Sequence, residues 1–239
     1  AFLPDHLDIA VDYLREHHAE AGVCTDGYYV TADERRIQTL SSRRVRVDGG
    51  SVFDELVRSS AAIGPPVCVV LRLAPVRARR LGFDSAITIG PDWDFFTRLA
   101  ESEAMGRIDR ATCLYRLHGT NITTRTATET RRRDLATCRS KAIHLRGFAA
   151  CPVDVRVAAF YDLLVNALLG SADRQEDATR WEAFGGLPAR EQARLLRVMA
   201  SKTIIAGGDR AAARRWLERW RIFLMACSEL FSYAGVYRR

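Results

Sequence analysis

Three stretches decide how this chain reads: Leu81-Gly82-Phe83-Asp84, then Gly90-Pro91-Asp92-Trp93-Asp94-Phe95-Phe96-Thr97-Arg98-Leu99-Ala100, then Leu114-Tyr115-Arg116-Leu117-His118-Gly119-Thr120-Asn121. The middle stretch opens a helix predicted over about Trp93 to Glu103. Asp92 and Asp94 stand at its start, where unpaired amides and the helix dipole favour negative charge. Further on, a strand predicted over Ile108 to Tyr115 ends in Tyr-Arg-x-His. Arginine is a fixed cation suited to phosphate oxygens, and histidine ligates metals or hydrogen-bonds phosphate. A carboxylate, a cation and an imidazole brought together suit displacement of a nucleoside diphosphate from a sugar. The carboxylate takes the acceptor proton, while the cation and a metal stabilise the leaving diphosphate.

Each residue also has a plainer reading. Asp92 and Asp94 suit simple helix caps. Arg98 is read first as a salt bridge holding the helix, and only second as a substrate contact. Trp93 suits either packing or stacking on an acceptor sugar, and His118 either a structural histidine or a ligand. Asp92-Trp93-Asp94 is also the one Asp-x-Asp of the chain and taken alone reads as a metal motif.

Outward from these stretches, Pro4 and the apolar spacing Leu7, Ala10, Val11 and Leu14 predict a helix to about Ala19, ended by Gly22. Val23 to Val30 reads as a β-segment with a bulge or bend at Asp26-Gly27. Arg35 to Leu40 reads as a second strand, 41–50 as a polar loop, and Val52 to Ser59 as a short helix. After Pro65-Pro66, the run Val67 to Arg72 has the β-branched character of a strand buried on both faces. Pro75 starts a helix that Gly82 is expected to cap. The Thr-rich segment Thr123 to Thr130 reads as a linker, and helical patterns follow it. Leu163, Leu164, Ala167 and Leu168 form one apolar face; Leu195, Leu196, Met199 and Ile204 form another. Arg190 to Ala206 and Arg210 to Trp220, split by Ala206-Gly207-Gly208-Asp209, look like one tetratricopeptide-type hairpin. The second helix of the pair extends to Leu224 and carries Ala213, Trp216, Leu217 and Trp220 at helical spacing.

Composition narrows the classes. A chain of 239 residues with 48% hydrophobic and 27% charged residues has the makings of a sizeable core. No apolar run approaches the roughly 18 residues of a membrane span, and no basic-then-apolar leader stands at the front. The net charge of +7 comes from arginines spread along helices (Arg77, Arg79, Arg80; Arg131 to Arg133; Arg214, Arg215), which read as solvated faces. No zinc-finger or RNA-binding signature accompanies them, so nucleic acid is not expected; Arg131 to Arg133 could face an anionic membrane surface. None of the six cysteines forms a Cys-x-x-Cys pair, which points to buried, reduced thiols in a cytoplasmic protein.

In order and spacing, the three opening stretches resemble the family-2 glycosyltransferases of the GT-A fold. That family shows a Gly-Gly-Phe-Asp-Glu turn, a Glu-Asp-x-Asp-Leu helix start with Arg-Leu downstream, and a strand ending Tyr-Arg-x-His-x-x-Asn. Phe83-Asp84, Asp92-Trp93-Asp94-Phe95, Arg98-Leu99 and Tyr115 to Asn121 correspond to these. Phe2-Leu3-Pro4-Asp5-His6-Leu7 resembles the segment after the family's metal-binding Asp-x-Asp, and Val23-Cys24-Thr25-Asp26 the strand after that. The resemblance covers about residues 1–122. It implies an α/β fold, a partial GT-A domain with a mixed sheet over 1–125 forming the acceptor side, followed by an all-α domain over 130–239. It implies inverting transfer from a nucleotide-sugar donor to a glycan or lipid-linked acceptor. Asp92 takes the general-base position and His118 a metal-ligand position. Trp93, Asp94, Arg98, Tyr115 and Arg116 are candidate contacts to the donor diphosphate or acceptor. Pro91 stands where the family usually has Glu.

The metal, Mg or Mn, is expected to take its main ligands from an Asp-x-Asp upstream of Ala1, together with the uridine-binding strands. On that expectation the 239-residue chain alone does not turn over a nucleotide sugar, and its uncovered sheet self-associates. The setting implied is cytoplasmic, with peripheral contact at the inner face of the membrane. The competing reading is a non-catalytic helical interaction module attached to a degenerate transferase remnant.

Overall fold

A computed structural model of the chain describes residues 1–207, 209–219 and 221. They fall into two compact units, Ala1–Val155 and Arg156–Arg239. The first is mixed α/β around a four-stranded mixed sheet; the second is helical throughout its described residues.

In the first unit the elements run α1 (His6–Glu16), β1 (Glu20–Val30), β2 (Arg36–Thr39), α2 (Val52–Arg58), β3 (Val69–Leu71), α3 (Leu73–Ala78), α4 (Pro91–Ala100), β4 (Ala104–Arg116), α5 (Ile122–Arg125), α6 (Thr128–Ile143) and α7 (Val153–Tyr161), the last running across the boundary. β1 is the strand on which the sheet depends. It pairs antiparallel with β2 at its far end and with β3 at its near end, and parallel with β4 along its whole length. Ala1 to Leu3 cover the other side of β4, through a Phe2–Cys113 bridge and hydrogen bonds from Leu3 N to Thr112 O (2.8 Å) and from Leu114 N to Ala1 O (2.8 Å). The bend expected at Asp26-Gly27 is a break in the β1–β4 register. The Asp26 carboxylate accepts from Gly27 N, Ser41 N and Ser41 Oγ, so it also pins the start of the loop after β2.

Several expected boundaries move, each for a physical reason. Gly22 does not end α1; it lies inside β1 because a methyl there would stand 2.3 Å from Leu71 Cδ2 and 3.0 Å from Val70 O. The strand expected over Val67 to Arg72 shrinks to three half-buried residues preceded by a 3-10 turn over Pro66–Cys68, since the two prolines hold the chain off the ladder. α3 begins before Pro75, and the positive φ that follows it falls on Arg80 (52°) instead of Gly82. The Thr-rich segment is not a linker: it forms α5 and the first turn of α6.

The unit boundary lies accordingly at 155/156, beyond the expected limits of 125 and 130. α6 belongs to the first unit because its inward side chains are spent there. Asp134 accepts from Thr88 N (2.8 Å) and Ile89 N (3.0 Å). Arg139 donates to the carbonyls of Val57 and Arg58 at the end of α2, and its guanidinium lies 4.4 Å from the Trp93 ring centroid. The five described cysteines are buried, and Cys24, Cys68, Cys113 and Cys138 are free thiols. Burial pushes the thiols of Cys68 and Cys138 up to about 12 and that of Cys113 to about 11, which leaves them inert; Cys227 lies outside the described residues.

In the second unit, α7 passes into a π-turn over Asp162–Ala167 and is followed by α8 (Ala172–Ala178), α9 (Glu182–Gly185), α10 (Ala189–Ile205) and α11 (210–219). Leu163, Leu164 and Leu168 are buried as expected, and the fully buried Gln175 donates to the Leu164 carbonyl at 2.7 Å. That bond satisfies an acceptor released where the helix widens. Phe160 meets Phe184 edge to face at 5.2 Å. On α10 the inward face is Leu195, Leu196, Met199, Ala200 and Thr203; Ile204, expected there, is 49% exposed. α11 buries Ala213 and Trp216. Gly208, Trp220 and Ile222 to Leu224, the rest of the expected hairpin, lie outside the described residues. Among the described residues no helix is long and apolar enough to cross a membrane.

Because α6 is built into the first unit, the position of a cut should matter. Residues 1–155 expressed alone should melt cooperatively when followed by circular dichroism, whereas residues 1–127, stripped of Asp134, Arg139 and Lys141, should show no cooperative transition. A cooperative melt of the shorter piece would place α6 outside the unit.

Candidate functional site

The first unit carries a cleft of about 1010 Å³. It opens where the parallel strands β1 and β4 end, with the register partners Tyr29 and Tyr115 on its wall and their rings edge to face at 5.7 Å. In open α/β sheets the carboxyl ends of parallel strands are where ligands collect. The segments after β2 and after α2, the start of α4, the segment after β4, the α5 threonines and the first turns of α6 complete the lining.

Of the expected site residues, Asp92, Trp93, Tyr115 and His118 line this cleft, and Asn121 joins them. Asp94, Arg98 and Arg116 do not. The difference follows from the elements themselves. Residues two apart on a helix point about 200° apart, so Asp92 and Asp94 cannot converge. Arg98, four residues after Asp94, shares its side. Successive residues on a strand face opposite ways, so Tyr115 on the cleft puts Arg116 away from it; Arg116 pairs with Glu34 instead.

Asp94 is therefore a structural residue. Its side chain is 1% exposed, and its carboxylate meets Arg98 at 2.7 Å and Lys141 at 2.9 Å. Lys141 also reaches Asp84 at 3.0 Å, and Arg98 also donates to Gly82 O at 2.7 Å. Arg98 thus forms the salt bridge expected within the helix, and neither it nor Asp94 lines the cleft. Burial pulls the Lys141 ammonium down, and the hydrogen bonds it donates to Asp94 and Asp84 more than reverse it; Asp84 in turn is held below the usual carboxylate range, chiefly by its hydrogen bond from Lys141.

Asp92 stands in the opposite condition. It is half-buried, and among the described residues it has no ion pair. Burial raises its carboxyl above the ordinary aspartate value, against the opposing hydrogen bonds from the backbone amides of Trp93 (2.9 Å) and of Asp92 itself. Gly90 before it takes φ 87°, a left-handed conformation that turns the chain into α4 with Pro91 at the first helical position. Trp93 is packed instead of free to stack: it is 4% exposed, its indole N–H donates to Leu56 O at 2.9 Å, and Arg139 covers one face. His118 is exposed, and its Nδ1 is 2.7 Å from Thr120 Oγ1. The Asn121 side chain accepts from His118 N at 2.7 Å and donates to Arg116 O at 3.2 Å, so the His-x-x-Asn spacing is a locked turn.

The lining residues missed by the sequence reading of the site include Tyr29, Arg43, Thr124 and Leu135, contributed by β1, the loop after β2, α5 and α6. No local pattern announces them, because each reaches the cleft only through tertiary packing.

A divalent cation, which the resemblance implies, does not fit the residues present. Among the described residues no three His, Cys, Asp or Glu side chains cluster. Asp94 is committed to two cations, which leaves His118 and Asp92 against the several oxygen ligands that Mg²⁺ prefers. No step below is routed through a metal. Compared with known proteins, the chain matches no family model and no curated sequence.

The two aspartates should respond oppositely to loss of charge. Asp94→Asn removes one partner of a buried ionic cluster and should cost about 2–4 kcal/mol in denaturant melts. For Asp92 the folded-state carboxyl lies above its unfolded value, so carrying the charge opposes folding at pH above both values, and the penalty fades as the pH falls through the folded value. Asp92→Asn should therefore raise Tm at pH 7 by roughly 2–4 °C and lose that advantage at pH 3–4. A drop in Tm at pH 7 would mean that Asp92 is stabilised by a partner.

Proposed function

We propose that this chain is the acceptor side of an inverting GT-A glycosyltransferase of family-2 type, with Asp92 as general base. One observation carries the reading: residues from two separate stretches, Asp92 from one and Tyr115, His118 and Asn121 from the other, line one cleft, and Asp92 is its unpaired carboxylate with a raised proton affinity. A base of raised proton affinity is better matched to an acceptor hydroxyl than an ordinary aspartate is. In the proposed step the Asp92 carboxylate accepts the hydroxyl proton as the acceptor oxygen bonds to the anomeric carbon of a nucleotide sugar. The bond from that carbon to the diphosphate oxygen breaks with inversion, and the nucleoside diphosphate leaves with the electron pair. Asp94, Arg98 and Lys141 hold α4 so that Asp92 faces the cleft; they touch no substrate in this scheme. Cytoplasmic placement at a membrane face and a glycan or lipid-linked acceptor belong to the same proposal.

The alternative, a helical interaction module joined to a transferase remnant without turnover, draws on the fate of Arg116. The cation expected at the diphosphate is paired with Glu34 and stands outside the cleft. The two readings separate on one substitution. Asp92→Asn, introduced into the natural gene product, should leave the fold intact and lower glycosyl transfer by roughly 10² or more. Unchanged transfer would remove Asp92 from the chemistry, and absence of transfer in both forms would favour the interaction module.

A further inference from the structure

The arginine run at the start of α6 is not uniform. Arg133 engages Asp134 at 3.2 Å, and Arg132 does not line the cleft. Arg131 does line it, and it lies within ion-pair distance of no carboxylate among the described residues. Arg131 reaches the cleft from the first turn of α6 and Asp92 from the first turn of α4, and the two form no ion pair. A second cation, Arg43, enters the lining from the 3-10 turn Ser41–Arg43, its guanidinium 4.5 Å from the Tyr29 ring centroid. The hydroxyls of Thr123 and Thr124 supply neutral donors to the same cleft. Two planar guanidinium groups with hydroxyl donors suit a tetrahedral, doubly charged group whose oxygens accept from several directions. They are unsuited to a neutral sugar, which would leave Arg131 unanswered on binding.

We infer that the acceptor is a phosphate-bearing molecule, its phosphate held by Arg131 with Arg43 while a separate hydroxyl meets Asp92. The inference rests on the transferase reading and specifies its substrate class. The phosphate is either carried on a sugar free in solution or on a lipid. A volume of about 1010 Å³ accommodates a sugar phosphate with room for the reacting group.

The test uses the 239-residue chain. Glucose, glucose phosphate and inorganic phosphate are titrated calorimetrically at low ionic strength. Co-sedimentation is measured with phosphatidylcholine vesicles with and without phosphatidic acid. The phosphorylated probe, free or in vesicles, should bind about tenfold or more tightly than its neutral counterpart. Arg131→Gln should erase the preference, Arg132→Gln should keep it, and added salt should weaken it. Binding of free phosphate compounds identifies a soluble acceptor, and binding confined to phosphatidic acid vesicles a lipid-borne one; either sustains the inference. A phosphate preference lost equally in the Arg132 variant would show a general basic surface and overturn it. Measurable binding of glucose and glucose phosphate with equal affinity, or binding of no phosphorylated probe either free or in vesicles, would overturn it too. The transferase reading would then still stand or fall separately, on turnover by the Asp92 variant. Arg131 is exposed, so its variant should keep the parent melting curve.

Discussion

Asp94 has almost no contact with water, and a carboxylate so placed stays charged only if both its oxygens are answered. Arg98 answers one from the same helix and Lys141 the other from α6, and Lys141 extends the cluster to Asp84 in the turn before α4. Three segments that would otherwise slide past each other are tied at one point. The cluster fixes how α4 is rotated about its axis, and that rotation decides where Asp92 points, since the two aspartates differ by about 200° around the helix. Arg139 over Trp93 and Asp134 on the amides of Thr88 and Ile89 lock the same rotation from the other end.

The sheet places the opposite wall by a related device. β1 is shared by all three other strands, so its register sets theirs, and the parallel β1–β4 ladder carries Tyr29 and Tyr115 to the same level. The break at Asp26 frees a carboxylate to hold Gly27 and Ser41, and with them the turn that presents Leu40 and Arg43 to the cleft. A buried acidic side chain thus anchors each wall, Asp26 under one and Asp94 under the other. Both are fully engaged, as buried charge must be.

What was legible in the sequence was what local chemistry encodes. Pro91, the first-turn acids and the apolar spacing announced α4; the β-branched and aromatic runs announced β1 and β4. Asp92, Tyr115 and His118, expected together from the ordered spacing of the motifs, line one cleft. The i, i+2 separation on a helix already excluded joint work by Asp92 and Asp94, and strand alternation excluded Arg116 beside Tyr115; both were readable and were missed. α6 was not readable as part of the first unit, because its buried face carries Asp134, Cys138 and Arg139 where a core helix is expected to carry leucines. Its apolar signal is weak, so the segment looked like a boundary. Arg131 gave no local sign that it differs from Arg132.

The contrast inside Asp92-Trp93-Asp94 bears on function more than any single distance does. Both aspartates lie in the first turn of α4 and enjoy the same helix dipole, so helix stability alone gives no reason to treat them differently. Yet Asp94 meets two cations while Asp92, half-buried on the cleft wall, pairs with none among the described residues. A desolvated and uncompensated carboxylate opposes folding, and a neutral amide at the same place would accept the Trp93 amide equally well. Positions where a fold keeps a costly local choice despite a cheaper isostere are those where chemistry, not stability, sets the residue. An unpaired base facing a cleft whose cations stand elsewhere is what proton removal from a bound, anionic acceptor would require. A cation beside Asp92 would stabilise its charge and weaken it as a base, whereas the same cation at a distance can hold the substrate without that loss.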